Sequence, residues 1–143
     1  MIVIKYKPVA SWWKEEYAPK KSTSHSVGFD LYARLEEKHP NGAWVFDTGL
    51  IFEIPEGYEM EIRPRSGLFL RYGMIVHNGT IDPDYRENSV KILALNIPPE
   101  WKKGEVYRVA QALFRRVPEI SLEKSDKIHL LGEHQGFGST GIE

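Results

Sequence analysis

Short runs rich in apolar and β-branched residues recur along the chain and are separated by turn-forming residues. The runs long enough to form strands lie at 2–6, 29–33, 43–47, 49–54, 57–62, 90–95 and 106–114. In the fifth of these, Tyr58, Met60 and Ile62 alternate with Glu59 and Glu61, which is the pattern of a strand with one face in water. The turn signals HPNG, PEG, IPPE and KKG stand between the runs. Many short strands joined by Gly and Pro turns predict an all-β sandwich or barrel.

Helical patterns are scarce in this sequence. The apolar stretch LFL follows a serine and stands shortly before Gly73, so we predict one short helix over 67–72. The segment SWWKEE at 11–16 is a second helical candidate.

The composition limits the classes of function that are open to the chain. Its 143 residues are 41% hydrophobic and 27% charged, which predicts one soluble domain over 1–131 with a Gly-rich tail over 132–143. The net charge of −1 gives no overall attraction to nucleic acid, and no apolar stretch is long enough for a membrane span, so we expect neither partner. The absence of cysteine excludes disulfides and thiol nucleophiles. The expected location is the cytoplasm, or the host cytoplasm if a virus encodes the protein.

The tail contains the pattern G-x-G-x-x-G at Gly136, Gly138 and Gly141. Only two residues follow it, so we expect no helix whose N-terminus could hold a pyrophosphate, as a dinucleotide fingerprint requires. One interpretation is a disordered end. The other is a flexible segment that closes over a ligand, because Phe137 is unusual in a solvated tail and hydroxyl groups follow it.

Arg65, Ser66 and Gly67 stand at the predicted start of the helix. Together they could form a pocket for an oxyanion, with added positive potential from the helix N-terminus. On this segment alone, a serine N-cap flanked by solvated arginines is the more common arrangement.

The loop NGTIDPDYRE at 78–87 carries Asp82 and Asp84, which would share one face of an extended strand. One of them could act as a general base for water in a low-dielectric setting. The alternative is a hairpin turn in which aspartate caps the backbone. Gln111 is a polar residue in an apolar strand, so it is either a satisfied core amide or part of a site. The histidines show no metal-binding spacing.

Taken in order, five segments of the chain resemble the motifs of one enzyme family. They are SVGFDLYA at 26–33, PRSGL at 64–68, GTIDPDY at 79–85, VAQALF at 109–114 and GFGSTG at 136–141. These resemble the five ordered motifs of the homotrimeric dUTPase family. The resemblance implies a jelly-roll-like β barrel that forms a three-fold homotrimer with active sites between subunits. It further implies that residues 132–143 are an arm of one chain that closes a site built by the other two.

The resemblance also implies a reaction, namely hydrolysis of dUTP to dUMP and pyrophosphate by attack of water at the α-phosphorus. That reaction limits uracil incorporation into DNA and supplies dUMP for dTMP synthesis. Asp82 would activate the water. Asp30 would reach Mg²⁺ through a water molecule, which suits an ion that keeps several waters and binds mainly to substrate phosphates.

Further roles follow from the resemblance for the residues that contact the substrate. Tyr85 would pack on the deoxyribose and exclude a 2′-hydroxyl. The backbone of Gly79, Thr80 and Ile81 would read the uracil edge, with Asn78 beside it. The phosphates would be bound by Arg65, Ser66, Gly67 and Gln111. Within the arm, Phe137 would stack on the base, and the residues beside it in the site would be Gly138, Ser139 and Thr140.

Three features depart from the family pattern. Gly132 stands where the arm usually has an arginine, and His134 is the nearby candidate for a partial substitute. YRENSV at 85–90 lacks the usual glycine and is one residue longer, so a bulge after Tyr85 is expected. SWWKEE resembles an insertion.

Two other functions remain open on the sequence. One is a dCTP deaminase or its bifunctional relative, which would need a glutamate as a proton shuttle on the base. The other is a nucleotide-sensing or protein-binding module on the same scaffold. Product analysis separates the deaminase from the dUTP diphosphatase, because a diphosphatase releases pyrophosphate and a deaminase releases ammonia.

Overall fold

The computed structural model describes residues 1–132, and antiparallel strands make up most of the regular structure there. In chain order the strands are β1 (Lys5–Pro8), β2 (Phe29–Lys38), β3 (Trp44–Asp47), β4 (Leu50–Glu53), β5 (Tyr58–Arg63), β6 (Ile75–Val76), β7 (Gly79–Ile81), β8 (Lys91–Leu95) and β9 (Val106–Arg116). The helix α1 spans Ser66–Tyr72, and a short 3-10 turn spans Glu15–Tyr17.

The strands form one seven-stranded sheet in the order β6-β8-β3-β2-β9-β5-β7 and a two-stranded sheet of β1 and β4. The long strands β2 and β9 pair at the middle of the large sheet although residues 39–105 separate them along the chain. Antiparallel strands that pair across such long connections are typical of Greek-key and jelly-roll folds. The predicted all-β, jelly-roll-like fold with one short helix is therefore confirmed.

Alternating burial along the strands explains why they form. Leu31, Ala33 and Leu35 of β2 are buried, and the residues between them are only partly so. In β5, Met60 and Ile62 are buried as the alternation predicted. Burying each large side chain of this kind stabilises the fold by roughly 1.5–3 kcal/mol, so the apolar faces of the strands hold the barrel together.

The helix begins one residue before its predicted start and ends where the sequence indicated. Gly73 follows it with a φ of 69°, in the left-handed region, and its N–H donates to the carbonyl of Phe69 at 2.8 Å. Glycine adopts this conformation without strain, which makes it the usual residue after a helix.

Two predictions on secondary structure are wrong. Residues 11–16 form no α-helix, and the 3-10 turn at Glu15–Tyr17 overlaps only their last two positions. The loop predicted at 78–87 includes the short strand β7. The predicted first strand at 2–6 is observed a few residues later, at Lys5–Pro8.

The last strand ends at Arg116, and residues 117–132 are exposed and belong to no strand or helix. The predicted boundary between domain and tail at 131/132 stays a prediction. Among residues 1–132, no helix has the length and apolar character that crossing a membrane requires.

Candidate active site

A groove lies beside the start of α1 and is bounded on one side by β9. It is lined by Pro64, Arg65, Ser66, Gly67, Phe69, Leu70 and Gln111. Gln111 of β9 lies opposite Arg63 of β5, and its Nε2 donates to the carbonyl of Pro64 at 3.0 Å. Strand pairing therefore brings Gln111 against the segment that begins the helix, and the four predicted phosphate-binding residues lie together.

The start of α1 favours the oxyanion interpretation over a serine cap. Arg65, not Ser66, occupies the N-cap position, and no side chain caps the helix. Ser66 and Gly67 are exposed in the first turn. A Cβ added to Gly67 would meet nothing within 4 Å, so packing within the described chain does not require glycine there. A ligand that approaches the backbone closely would require it.

The guanidinium of Arg65 lies in a positively charged environment. Its Nη1 donates to the carbonyl of Arg108 at 3.1 Å. Burial lowers the pKa of Arg65, and the like charge of Arg108 lowers it further, while Asp30 and Tyr32 act in the opposite direction. Arginine stays protonated in proteins, so two guanidinium groups share one nearby carboxylate. An anion in the groove would relieve this repulsion.

Asp30 of β2 lies directly opposite Gln111 of β9 and therefore belongs to the same wall. Its backbone N–H donates to the carbonyl of Lys20 at 2.8 Å, and its Oδ2 pairs with Nη1 of Arg108 at 3.3 Å. Within residues 1–132 there is no cluster of three or more metal-ligating side chains. A lone carboxylate of this kind fits an ion that is held through water and by the phosphates of a ligand.

Arg108 is a member of this cluster that the sequence analysis did not single out. In a regular strand, Arg108 and Gln111 would face opposite sides, because they are three residues apart. The pairing of β2 with β9 shifts register here, since Leu31 lies opposite Ala110 and Tyr32 lies opposite Arg108. This bulge turns Arg108 to the face that carries Gln111.

Asp82 follows the short strand β7, which pairs with β5 and is the last strand of the large sheet. The residues after it form a turn, closed by a hydrogen bond of 3.0 Å from the N–H of Tyr85 to the carbonyl of Asp82. Asp82 and Asp84 are both exposed. Asp82 and Asp84 therefore lie on a turn and not on an extended strand where they would share one face, and the described part of one chain does not supply a low-dielectric setting.

Tyr85 is hydrogen-bonded across its own loop. Its hydroxyl donates to the carbonyl of Ser89 at 3.3 Å, and the Ser89 hydroxyl donates to Oδ1 of Asp47 at 2.6 Å. Tyr85 as a whole is 39% exposed. After Tyr85 the chain bends at Glu87 and Asn88, where the described residues form no strand pairing, so the expected bulge of a hairpin is not observed.

The two groups of predicted site residues lie in separate depressions of a single chain. Asp82 lines an open depression with Glu56, Pro83, Asp84 and Arg86, and none of these residues lines the groove of Arg65. Asn78 is exposed before β7, and Thr80 is exposed within it. All the predicted site residues of the arm lie outside the described residues, as does His134; they are Phe137, Gly138, Ser139 and Thr140.

The chain is similar to known proteins in sequence and in fold. The sequence model of the dUTPase family matches residues 14–141. A deoxyuridine 5'-triphosphate nucleotidohydrolase of Wolbachia pipientis is 40% identical over 134 residues, which cover 86% of this chain and 86% of that protein. A mutant dUTPase of Staphylococcus bacteriophage 80alpha, solved with dUpNHpp, has a TM-score of 0.73 at 18% identity, and the match covers 99% of this chain and 100% of that one. A mutant dUTPase from phage phi11 of S. aureus, which coordinates a structural Mg(II) ion, has a TM-score of 0.68 at 16% identity, with coverage of 88% and 98%. At such identities the two structures show a shared fold.

Proposed function

Because this chain belongs to the dUTPase family, we propose that it hydrolyses dUTP to dUMP and pyrophosphate. The observation that carries the proposal is the groove that holds Arg65, Ser66, Gly67 and Gln111 beside Asp30. It offers positive charge, a hydroxyl, an amide and open backbone to a chain of phosphates. The role of the reaction would be to limit uracil incorporation into DNA and to supply dUMP, in the cytoplasm of the cell or host.

In the proposed mechanism a water molecule attacks the α-phosphorus, and the carboxylate of Asp82 orients it and accepts its proton. Asp82 is exposed on a turn next to the edge strand, so a substrate and its attacking water can reach the carboxylate. Arg65 would stabilise the negative charge on the phosphates, and Gln111 has a second N–H that can donate to a phosphate oxygen. When bound, Mg²⁺ would neutralise charge on the leaving pyrophosphate, and Asp30 would hold it through water.

Uracil would be read by the main chain of β7. This strand pairs with β5 on one side and is the last strand of the described sheet, so the backbone groups on its other side are free to bond a base. Fixed backbone groups that match uracil would be left unpaired by cytosine. Tyr85 would pack on the deoxyribose, with its hydroxyl held by Ser89.

A homotrimer with shared sites is part of the proposal. Asp82 and Arg65 line different depressions of one chain, yet both must reach one triphosphate. A site in which one subunit supplies the Asp82 loop and another supplies the groove meets this requirement. The arm of the third subunit, residues 132–143, would then cover the nucleotide, with Phe137 stacked on the base.

A panel of substrates tests the function. Pyrophosphate release measured for dUTP, dCTP, dTTP and UTP, with and without Mg²⁺, is expected to show a strong preference for dUTP with Mg²⁺. Discrimination against dCTP should reach about 10⁴-fold, because the mismatched base leaves backbone groups unpaired. Equal kcat/KM for UTP and dUTP would contradict the role of Tyr85. Ammonia released from dCTP would instead indicate a deaminase.

The fit between Gly28 and Gln111 gives a second prediction. A Cβ added to Gly28 would overlap Oε1 of Gln111, so the amide would have to shift away from its position against Pro64. We expect Gly28→Ala to raise KM for dUTP about 5- to 10-fold, which corresponds to the loss of about one hydrogen bond.

Steady-state kinetics would measure this change, with Gln111→Ala as the matched background. In that background the obstructing amide is gone, so Gly28→Ala should add no further change. An unchanged KM for Gly28→Ala alone would show that the Gln111 amide does not contact the substrate.

A further inference from the structure

The guanidinium of Arg86 connects the loop of Asp82 to the body of the barrel. Its Nε donates to the carbonyl of Pro83 at 2.7 Å, and its Nη2 donates to the carbonyl of Ile54 at 2.8 Å. Its Nη1 also lies 3.4 Å from Oε1 of Glu53. One side chain thus joins the residue directly after Asp82 to the end of β4.

The contacts of Arg86 differ in how much each is expected to stabilise the position of the loop. The pair with Glu53 is exposed on both sides, and surface ion pairs of this kind contribute little. The two bonds to main-chain carbonyls are short and involve a charged donor, which makes them stronger than neutral hydrogen bonds. They also need two nitrogens of one rigid, planar group, which arginine supplies and lysine does not.

The turn that carries Asp82 needs such a connection. Asp82 is exposed, so packing does not fix its carboxylate, whose position follows the backbone of the turn. Beyond Arg86 the chain continues into the exposed bend at Glu87 and Asn88. Arg86 lies between this bend and the turn, and it attaches the turn to β4 before the bend begins.

We propose that Arg86 is a positioning residue that places the carboxylate of Asp82 by fastening the 82–85 turn to the end of β4. This inference rests on the proposed function, since it assigns Asp82 the role of base. Arg86 itself need not contact the substrate. Its charge is not the essential property, because three of the other residues that line its depression are the acids Glu56, Asp82 and Asp84, and a lysine would balance them equally well.

The test compares Arg86→Lys and Arg86→Gln with the matched control Glu53→Gln. Glu53→Gln removes the ion pair and leaves both carbonyl contacts of Arg86 in place. We expect both Arg86 variants to lower kcat for dUTP by up to about 10²-fold, the cost of a small misplacement of a reacting group. KM and the Kd for dUpNHpp should stay within a few-fold, and Glu53→Gln should match the wild type. An Arg86→Lys variant with wild-type kcat would overturn the proposal.

A double-mutant cycle shows whether Arg86 acts through Asp82. In an Asp82→Asn background the base is already absent, so Arg86→Lys should cause little further loss of kcat. Independent, multiplying losses would overturn the proposal. Hydrogen exchange adds a readout that does not need activity. Faster exchange in the Arg86→Lys variant should be confined to residues 82–86, and loss of protection throughout the barrel would show a purely structural role instead.

The two hypotheses fail separately. If the wild-type protein does not hydrolyse dUTP, the proposed function is wrong, and the exchange experiment still reports whether Arg86 fixes the turn. If the wild type is active and Arg86→Lys is equally active, only the role of Arg86 is wrong.

Discussion

Replacing Asp82 with asparagine is expected to slow dUTP hydrolysis by about 10²–10⁴-fold, the usual contribution of a positioned acid–base group. Asparagine has nearly the same shape as aspartate but cannot accept the proton of the attacking water. Asp82 is exposed on a turn, and substitutions at such positions usually change the free energy of unfolding by less than about 0.5 kcal/mol. The loss should therefore appear in kcat, with Tm and the Kd for dUpNHpp close to those of the wild type.

Asp84→Asn is the matched control for this experiment. Asp84 lies in the same turn, is also exposed, and lines the same depression as Asp82. The resemblance assigns it no role, so its variant should retain near wild-type turnover. If Asp82→Asn stays within a few-fold of the wild type while Asp84→Asn is inactive, Asp84 is the base and the assignment to Asp82 is wrong.

Much of the fold could be predicted because burial follows the strand period. The alternation at Met60 and Ile62 matches a strand whose two faces differ in burial, and Gly73 ends the helix where its conformational freedom indicates. The failure at 11–16 has a packing cause. Trp12 lies over Gly49 and beside Arg34, and Trp13 packs against the core, so tertiary contacts with the barrel outweigh the local helical pattern.

The site could be predicted only in part, for two physical reasons. Arg108 contacts Asp30 and Arg65 because a bulge in β9 turns its side chain to the face that carries Gln111, and strand period alone assigns it to the opposite face. Arg86 acts through bonds to the carbonyls of Pro83 and Ile54, and such contacts between a side chain and main-chain carbonyls leave no pattern in the sequence. The grouping of Arg65 with Asp82 comes from the family resemblance, because one chain places them in separate depressions.

Deleting residues 132–143 is expected to leave a folded trimer that hydrolyses dUTP only weakly. Residues 117–131, which precede the cut, are exposed and lie outside every strand, so the deletion removes no support from the described core. Ser66, Gly67 and Asp82 are exposed as well, so without a cover, water would screen the groove and compete with ordered attack. Phe137→Ala alone should weaken nucleotide binding by about 1–3 kcal/mol, the range for one base–aromatic stack. Light scattering would measure the oligomeric state of the truncated protein, and turnover would measure its activity. Full kcat in the truncated protein would show that the tail is only a disordered end.

Mixing two inactive variants tests whether the arm acts on a neighbouring subunit. The Asp82→Asn chain has an intact arm, and the truncated chain has an intact Asp82. If each site combines the Asp82 loop of one subunit with the arm of another, hybrid trimers formed by refolding the two variants together will contain some sites with both parts intact. Activity should then return well above that of either variant alone. If both parts of a site come from the same chain, no site in a hybrid can be complete, and the mixture will stay as inactive as its components. Recovered activity would therefore show that the tail of one subunit acts at a site on another subunit.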